Sequence, residues 1–389
     1  MKIVLATEVF PPRAGGAGWS TRALALALKD AGHDVSVVTT AAGPSVERDV
    51  PVVRLQGVSG PFRRGRMARV FRDALLKHAE GADVIHAQHS LSALGTLSLE
   101  PHPRRIVTVR DHWPVCFWST RMSQGALCEG CSTAGMWRCL NGRVPLVAGP
   151  LAVPYMKRDL DAKQDALRRA DAVIAVSGAI ASELHAAAIP NVHVIPNIVD
   201  AAEVGAAAAP SPAFALPDRF LLFVGKLEAN KGASELIPAL VAARTALPLV
   251  ILGSGAEEAA LRREAAAHGI EIHAPGWAER ADVLRAMKQA EALVFPSTWP
   301  EPLSRVLLEA IALGVPIAAM ATGGTAELIR HDESGLLADD AAGLGDAAAR
   351  IVHDGAVRSR LREGALARAQ AFSPEALIPR YEALYRGSR

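Results

Sequence analysis

The chain has 389 residues, half of them hydrophobic, and its formal net charge at pH 7 is +2. This length exceeds one ordinary hydrophobic core, so we expect two domains of under about 200 residues each. The near-neutral charge argues against a nucleic-acid-binding protein. Every apolar run of about 18 residues is interrupted by a charge or a proline, and the N-terminus lacks the features of a signal peptide, which together predict a cytoplasmic protein without a spanning helix.

The N-terminal half begins with a strand over residues 2–7, a glycine-rich loop and a helix predicted from Trp19 to Ala31. A strand, a glycine loop and a helix in this order bring backbone amides close to a phosphate or a sugar. The glycines at positions 15, 16 and 18 lack the spacing of the dinucleotide fingerprint. Taken alone, this loop is best interpreted as a plain turn.

Strands predicted over 35–39 and 52–55 continue an alternating β/α pattern, which indicates a parallel sheet. A helix then follows from Phe62 to Lys77, with apolar residues at helical spacing and six lysine or arginine side chains. Such a helix can present a solvated polar face, or it can lie on an anionic membrane surface. The sequence leaves both interpretations open.

Two further strand ends carry polar side chains. Asp83 to His89 predicts a strand running into a loop, in which His86 either faces the ligand site or belongs to the core. Arg105 to Trp113 predicts another strand, and ligands gather at the carboxyl ends of strands in open α/β sheets. We therefore expect Arg110, Asp111 and His112 to line the cleft between the domains.

The four cysteines all fall in one window, at Cys116, Cys128, Cys131 and Cys139. Disulfides are disfavoured in a cytoplasmic chain, and a Cys-x-x-Cys pair with two outlying thiols can form a tetrahedral zinc site. Unligated thiols are the alternative, because the spacing matches no standard finger. The segment from Val144 to Met156 is apolar but contains three prolines, so we expect no regular helix there, but either a buried loop or a membrane-contacting patch.

The C-terminal half opens with a buried strand from Phe220 to Leu227. Lys226 lies at the end of this strand and Lys231 lies five residues on, before a new helix. Two ammonium groups close to a helix N-terminus favour a diphosphate site.

The segment from Trp299 to Pro316 follows a predicted strand over 292–296 and contains a helix predicted from Leu303 to Leu313. The free amides at its start, on Leu303 and Ser304, suit an anion such as a diphosphate. Glu301 and Glu309 lie at the two ends, roughly 12 Å apart along the axis. A nucleotide sugar could contact both carboxylates, although each could also merely complement the helix dipole or face solvent.

Glu301 and Glu309, separated by seven residues before Gly314-Val-Pro316, resemble the signature of the retaining glycosyltransferases of family 4. The resemblance continues through Thr322 to Ile329 and covers nearly the whole chain. It implies the GT-B fold, an α/β architecture of two Rossmann-like parallel-sheet domains that face each other across a cleft. The boundaries that we expect are 1–200 for the acceptor-side domain, with a cysteine-containing insertion at about 112–156, then 201–372 for the nucleotide-sugar domain, and 373–389 for a C-terminal helix that returns to the first domain.

The resemblance also implies roles for individual residues. It implies that Gly15 and Gly16 close over the donor diphosphate, and that Lys226 and Lys231 stabilise the leaving diphosphate. Many relatives carry His-Asp at the position of Arg110-Asp111, so the usual histidine is replaced here by an arginine that cannot act as a general base. Glu301 would hold the sugar hydroxyls, and Glu309 the ribose.

The implied activity is the transfer of a hexosyl unit with retention, without a catalytic metal ion, from a UDP- or GDP-sugar to a glycan or lipid-linked acceptor. This activity belongs to cell-envelope or polysaccharide biosynthesis, with peripheral contact to the inner face of the membrane. The alternatives are a nucleotide-sugar hydrolase or epimerase on the same fold, and a non-catalytic nucleotide-sugar-binding protein.

Overall fold

The computed structural model describes the whole chain except residues 59, 61–62, 101–102, 124–125, 129, 142, 144, 146–148, 210–212 and 388–389. The chain divides into two compact units. The first comprises Met1–Ile198 together with Pro374–Arg389, and the second comprises Val199–Ser373. The start of the predicted basic helix at Phe62 and part of the apolar segment after Val144 lie outside the described residues.

The described strands of the first unit form an eight-stranded sheet with a separate short hairpin of β7 and β8. The sheet order is β10-β9-β6-β5-β1-β2-β4-β3, and its neighbours are parallel except β3 and β4. The strands are β1 (Lys2–Thr7), β2 (Asp34–Thr39), β3 (Val46–Glu47), β4 (Val50–Arg54), β5 (Val84–Ala87), β6 (Arg104–Val109), β7 (Met122–Ser123), β8 (Ala126–Leu127), β9 (Ala172–Ala175) and β10 (Val192–Val194).

Helices cover this sheet, which is why its central strands are apolar on both faces. Residues Ile3 to Ala6 of β1, for example, have no solvent-exposed surface. The helices along the chain are α1 (Gly16–Asp30), α2 (Arg63–His78), α3 (Ser90–Thr96), α4 (Thr133–Leu140), α5 (Gly149–Arg168) and α6 (Gly178–Ala186).

The second unit has a six-stranded parallel sheet in its described residues, in the order β13-β12-β11-β14-β15-β16. Its strands are β11 (Leu221–Val224), β12 (Leu249–Leu252), β13 (Ile272–Gly276), β14 (Ala292–Phe295), β15 (Ile317–Met320) and β16 (Leu336–Ala338). Its helices are α7 (Ala201–Ala207), α8 (Ala233–Ala243), α9 (Glu258–Ala267), α10 (Arg280–Gln289), α11 (Arg305–Ala312), α12 (Thr325–Leu328), α13 (Ala341–His353) and α14 (Gly355–Ala369).

The last helix, α15 (Pro374–Arg386), belongs to the first unit. Its residues Leu377, Tyr381 and Leu384 pack in one hydrophobic cluster with Ile3 and Leu5 of β1. The two Rossmann-like sheets and this returning helix agree with the expected fold class.

Two predictions about the helices of the first unit are wrong. Helix α1 begins at Gly16 rather than Trp19, because the glycines after Gly15 adopt helical conformation instead of extending the loop. Helix α5 begins at Gly149 and continues through Pro154, where we expected no regular helix. A proline in the first turn costs no hydrogen bond, and Pro154 removes only one, from a side of the helix that is exposed. Among the described residues, none of the helices is both long enough and apolar enough to cross a membrane.

Candidate functional site

The loop after β14 brings Glu301 and Lys231 together. The Lys231 Nζ atom lies 2.5 Å from Glu301 Oε1, and the Ser297 hydroxyl donates a hydrogen bond of 2.9 Å to the same oxygen. Glu301 is only 4% exposed, so its carboxylate is buried together with a compensating cation. The Lys231 ammonium also lies 4.4 Å from the centroid of the Trp299 ring. One carboxylate and one ammonium group, 70 positions apart in the sequence, therefore form one site at the carboxyl edge of the second sheet.

Glycines allow this edge to pack closely. Gly232 has a φ of +71° between a 3₁₀ turn (Ala229–Lys231) and α8, and a Cβ atom there would lie 1.9 Å from the Pro296 carbonyl oxygen. Gly323 has a φ of +51°, and its Cβ would lie 2.4 Å from the backbone oxygen of Glu301. Only glycine fits both the conformation and the space. These two close contacts hold the Lys231 turn and the Glu301 loop against each other.

Lys226 does not join this pair. It follows β11, its side chain is 73% exposed, and its Nζ atom lies 3.6 Å from Glu228. The two lysines therefore pair with different carboxylates, Lys226 with Glu228 and Lys231 with Glu301.

Helix α11 begins later than expected. Ser304 is its N-cap residue, and the serine hydroxyl accepts a hydrogen bond from the Leu307 amide. Leu303 and Ser304 consequently precede the first helical turn, and their amides belong to the entering loop. The helix is buried along nearly its whole length, and its two charged residues, Arg305 and Glu309, are buried with it.

Glu309 is 4% exposed and is paired with two arginines. Its Oε1 atom accepts hydrogen bonds from Arg280 Nε at 2.7 Å and from Arg305 Nε at 3.0 Å. Arg280 in turn lies 3.4 Å from Glu203. Burial lowers the pKa of Arg305, an effect that the neighbouring Glu309 opposes. The solvent-facing alternative for Glu309 is therefore wrong, and the apolar residues around it were the correct signal.

In the first unit, the carboxyl ends of β5 and β6 carry a second polar cluster. Arg110 donates a hydrogen bond of 2.6 Å from Nη2 to Gln88 Oε1, and both side chains are buried. Burial raises the pKa of Asp111, whose carboxylate accepts a hydrogen bond from the Trp113 amide. Arg110 and Asp111 thus lie at a strand edge, as the sequence predicted, and form a desolvated polar site.

His112 points to a different partner. Its Nδ1 atom lies 2.8 Å from Glu183, which also pairs with Arg121 at 2.5 Å. Burial raises the pKa of Glu183. His112 and Arg121 lower it by more, so the pKa of Glu183 lies below its ordinary value. His112 is 2% exposed and is held in a buried hydrogen-bonded contact with Glu183.

His86 is a core histidine. It has no exposed surface, its Nδ1 atom lies 2.7 Å from the Tyr385 hydroxyl, and its Nε2 atom lies 2.7 Å from the Thr108 hydroxyl. Burial lowers the pKa of His86 well below its ordinary value, so it is neutral at physiological pH. This side chain is closed to an acceptor, because strand β5 directs it towards α15 and not to the sheet edge.

Sequence reasoning missed Glu8 and His89, which lie at the same edge after β1 and β5. Glu8 Oε1 accepts a hydrogen bond from the Ser92 amide, and Glu8 Oε2 lies 3.8 Å from His89 Nδ1. Burial raises the pKa of Glu8 to about 7, with a smaller contribution from Asp111. The available signal was the position of Glu8 directly after a buried strand, where ligand-binding side chains gather.

Gly15 and Gly16 lie at the start of α1. Gly15 is the N-cap residue, in extended conformation, and a Cβ atom built on it would meet nothing within 4 Å. The first amides of this 15-residue helix therefore begin at the glycine pair, which is the geometry that an anion requires.

The cysteines form no metal site. In the part of the chain that the structure describes, no three histidine, cysteine, aspartate or glutamate side chains form a group that could hold a metal ion. Cys116 and Cys131 hydrogen-bond to each other, which lowers the pKa of Cys116 to about 5. Cys128 instead donates to the Gly130 carbonyl at 3.5 Å, and Cys139 accepts from Arg143 at 3.4 Å. Cys116 and Cys131 thus pair with each other while Cys128 and Cys139 have separate partners, and the expected zinc site has no support in the described residues.

The chain is similar to several characterised proteins. Glycogen synthase of Mycobacterium tuberculosis is 29% identical over 384 residues, covering 92% of this chain and 88% of that protein. A D-inositol 3-phosphate glycosyltransferase of Xylanimonas cellulosilytica is 28% identical over 246 residues, covering 57% of this chain and 58% of that protein.

Solved structures share the fold. Sucrose-phosphate synthase from Thermosynechococcus elongatus superposes with a TM-score of 0.72 at 22% identity, covering 99% of this chain and 98% of that one. Anabaena HepE in complex with UDP superposes with a TM-score of 0.71 at 19% identity, covering 98% of each chain.

Two family models match consecutive parts of the sequence. The model for Glycosyltransferase Family 4 matches residues 14–203, and the model for Glycosyl transferases group 1 matches residues 207–368. With the two parallel sheets and the two glutamates before and within α11, these matches show that the chain belongs to the group 1, family 4 glycosyltransferases and is an enzyme of the GT-B fold.

Proposed function

We propose that this enzyme transfers a hexosyl unit from a nucleoside diphosphate sugar to a glycan or lipid-linked acceptor, with retention of the anomeric configuration. The observation that carries the proposal is the pair of buried glutamates around α11, each with its own cationic partner. A buried, charge-compensated carboxylate is a strong acceptor for hydroxyl groups. Glu301 would bind hydroxyls of the transferred sugar, and Glu309 would bind the ribose of the same donor.

The difficult step is the departure of the diphosphate while the sugar becomes cation-like. Lys231 would stabilise the developing negative charge, helped by Lys226 and by the amides of Leu303 and Ser304. Its present pairing with Glu301 holds the ammonium group at the site before the donor arrives. Exposed Lys226 needs only a change of rotamer to leave Glu228, since exposed ion pairs are weak. We propose no protein nucleophile and no divalent cation for this step.

The first unit would provide the acceptor side. Arg110 and Asp111 lie at its sheet edge, and the N-terminus of α1 at Gly15 and Gly16 would approach the donor diphosphate. The donor is a UDP- or GDP-sugar, and the UDP complex of the structurally similar Anabaena protein is compatible with this nucleotide class.

A lipid-linked acceptor agrees with an aromatic and basic surface on the first unit. The exposed rings of Trp118 and Tyr155 pack edge-on against the buried ring of Phe117, and the Arg64 guanidinium of α2, which also pairs with Asp159, lies 4.3 Å from the Phe117 ring. Leu151, on the same helix as Tyr155, is 81% exposed. Exposed aromatic and aliphatic groups beside arginines favour the interface of an anionic membrane. We therefore propose peripheral contact with the inner face of the cytoplasmic membrane, in envelope or polysaccharide biosynthesis.

A donor screen tests the activity. The purified enzyme would be incubated with UDP- and GDP-hexoses and a lipid extract, and nucleoside diphosphate release would be measured with and without acceptor, in the presence of a metal chelator. We expect release that requires acceptor, persists in chelator and falls on the order of 10²- to 10³-fold in Lys231→Ala. Glu228→Gln, which changes only the exposed partner of Lys226, should retain activity.

The outcome also separates the alternatives. Equal release without acceptor would indicate a hydrolase, and donor binding without turnover would indicate a binding protein. Retention would be checked by the anomeric proton coupling of the product, and an inverted product would contradict the proposed stereochemistry.

A further inference from the structure

Glu309 is not a single carboxylate but one member of a four-residue ion network, in which Glu309 and Arg305 are buried and Arg280 and Glu203 are partly exposed. The network contains two glutamates and two arginines that come from three helices: Glu203 of α7, Arg280 of α10, and Arg305 and Glu309 of α11. Its formal charges cancel, which is the condition under which ionised groups can be buried.

We propose that Arg280 and Arg305 are positioning residues that orient Glu309 towards the two ribose hydroxyls of the donor, and that they thereby make the enzyme select ribonucleotide over 2′-deoxyribonucleotide donors. The proposal rests on the assignment of Glu309 to the ribose in the proposed function. Beyond that assignment, the proposal names the two arginines that hold the carboxylate and the preference for ribonucleotide donors that results.

The geometry fixes the carboxylate from two sides. Arg305 lies one helical turn before Glu309 and donates from Nε at 3.0 Å, while Arg280 donates from Nε at 2.7 Å. Both bonds end on Oε1, so the rotation of the carboxylate plane is restrained at one oxygen. A carboxylate has about four acceptor positions, and two bonds to one oxygen leave acceptor capacity for two hydroxyl donors.

Arg280 is itself fixed by Glu203, 3.4 Å from its Nη1 atom. The Arg280 side chain is 12% exposed and that of Arg305 is 7% exposed, so solvent does little to screen these contacts.

Selectivity follows from the cost of an unmade hydrogen bond. An ionised carboxylate that is oriented for two hydroxyls loses one partner when the 2′-hydroxyl is missing. A carboxylate that can rotate freely would lose less, since it could turn towards the remaining hydroxyl or towards water. We therefore expect the ratio of ribo to deoxyribo affinity, and not only the affinity itself, to depend on Arg280.

Calorimetric titration of the full chain with UDP, GDP and ADP, and with the matching 2′-deoxynucleoside diphosphates, would measure this ratio without any acceptor. We expect the ribonucleotide that binds to do so at least about 10-fold more tightly than its deoxy counterpart. Arg280→Ala should bring the ratio close to one, and Arg280→Lys, which keeps the charge, should restore part of it. Arg285→Ala is the matched control, because Arg285 lies on the same helix and pairs with Asp282 instead.

Different results would contradict the positioning role of Arg280 and the ribose-binding role of Glu309. If Glu309→Ala abolishes the ratio and folded Arg280→Ala leaves it intact, the positioning role is wrong and the ribose role stands. If Glu309→Ala leaves the ratio intact, the ribose role itself is wrong. Circular dichroism would establish folding, and Glu203→Gln supplies a second variant, since it loosens Arg280 without touching Glu309 and should lower the ratio by a smaller factor.

Discussion

Glu8 illustrates how burial changes the chemistry of one residue. Its carboxyl is enclosed after β1, and burial raises the pKa of Glu8 to about 7, although the Ser92 and Leu91 amides act in the opposite direction. The titratable groups near Glu8 are His89 and Asp111. Burial, together with Arg110, lowers the pKa of His89 to about 3, so the histidine is neutral where Glu8 titrates.

We expect the Glu8→Gln variant to become more stable relative to the wild type as the pH rises. In the wild type the folded state holds the Glu8 proton more tightly than the unfolded chain, so the free energy of unfolding falls between the ordinary pKa of about 4.5 and about 7. Glutamine cannot lose a proton, and relative to wild type the variant should therefore gain up to about 3 kcal/mol between pH 4 and pH 8.

Urea unfolding at several pH values would measure this difference. Glu264→Gln, on the exposed face of α9, supplies the baseline for a glutamate that is not buried. A Glu8 variant whose stability relative to wild type is the same at pH 4 and pH 8 would contradict the burial of an ionisable Glu8.

At the scale of elements, the positions of the turn before α8 and of the last helix depend on contacts with residues remote in the sequence. The turn before α8 places Lys231, and its conformation requires glycine at position 232. The last helix is attached by its tyrosines, because Tyr385 hydrogen-bonds the buried His86 of β5. Both elements were placed correctly by pattern, but the contacts that fix them are remote in the sequence.

Gly232→Ala should destabilise the second unit by about 3 kcal/mol or more, and it should lower activity as well. The added Cβ would collide with the Pro296 carbonyl, and alanine disfavours a positive φ. Thermal unfolding would measure the loss of stability. Gly205→Ala in α7 is the matched control, since a Cβ there meets nothing within 4 Å and alanine favours a helix by up to about 1 kcal/mol. Equal stability of the two variants would be inconsistent with the packing described for Gly232.

Tyr385→Phe should lower stability by about 1–3 kcal/mol, because His86 Nδ1 would remain buried without its hydroxyl partner. Hydrogen exchange should show the loss as faster exchange of the amides in α15. Donor binding should stay unchanged, because neither residue belongs to the candidate site. A loss of donor affinity without a loss of stability would instead point to a functional role for His86.

At the scale of the whole molecule, the exposed aromatic groups and the basic helix α2 predict binding to anionic membranes. Sedimentation with phosphatidylglycerol vesicles should pellet the protein at low salt, with less protein pelleted by phosphatidylcholine vesicles or at high ionic strength. Leu151→Ser should weaken this binding and should leave turnover of a soluble acceptor unchanged. Leu366→Ser, another exposed leucine but on α14, is the control. Equal pelleting with neutral and anionic vesicles would contradict the electrostatic part of the proposal.

Much of this architecture could be predicted from the sequence. Buried parallel strands are continuous apolar runs, and they alternate with amphipathic helices, so β1 and β14 were placed to within a residue. The family signature around Glu301 and Glu309 is local in the chain, and it identified both the fold and α11. The start of α1 was less predictable, since glycines fit either a loop or a helix until neighbouring elements pack on them.

Only the tertiary structure decided which charged groups meet. Lys231 and Glu301 are 70 positions apart and Arg280 and Glu309 are 29, and no local periodicity records such distances. The same holds for His86, which the pattern left open and the fold assigned to the core, and for Glu8, whose position after a buried strand indicates a sheet edge but not the burial of its carboxyl. Local residue patterns specify the elements because backbone conformation and burial are short-range preferences, whereas the pairing of charges depends on how the completed sheet aligns the ends of its strands.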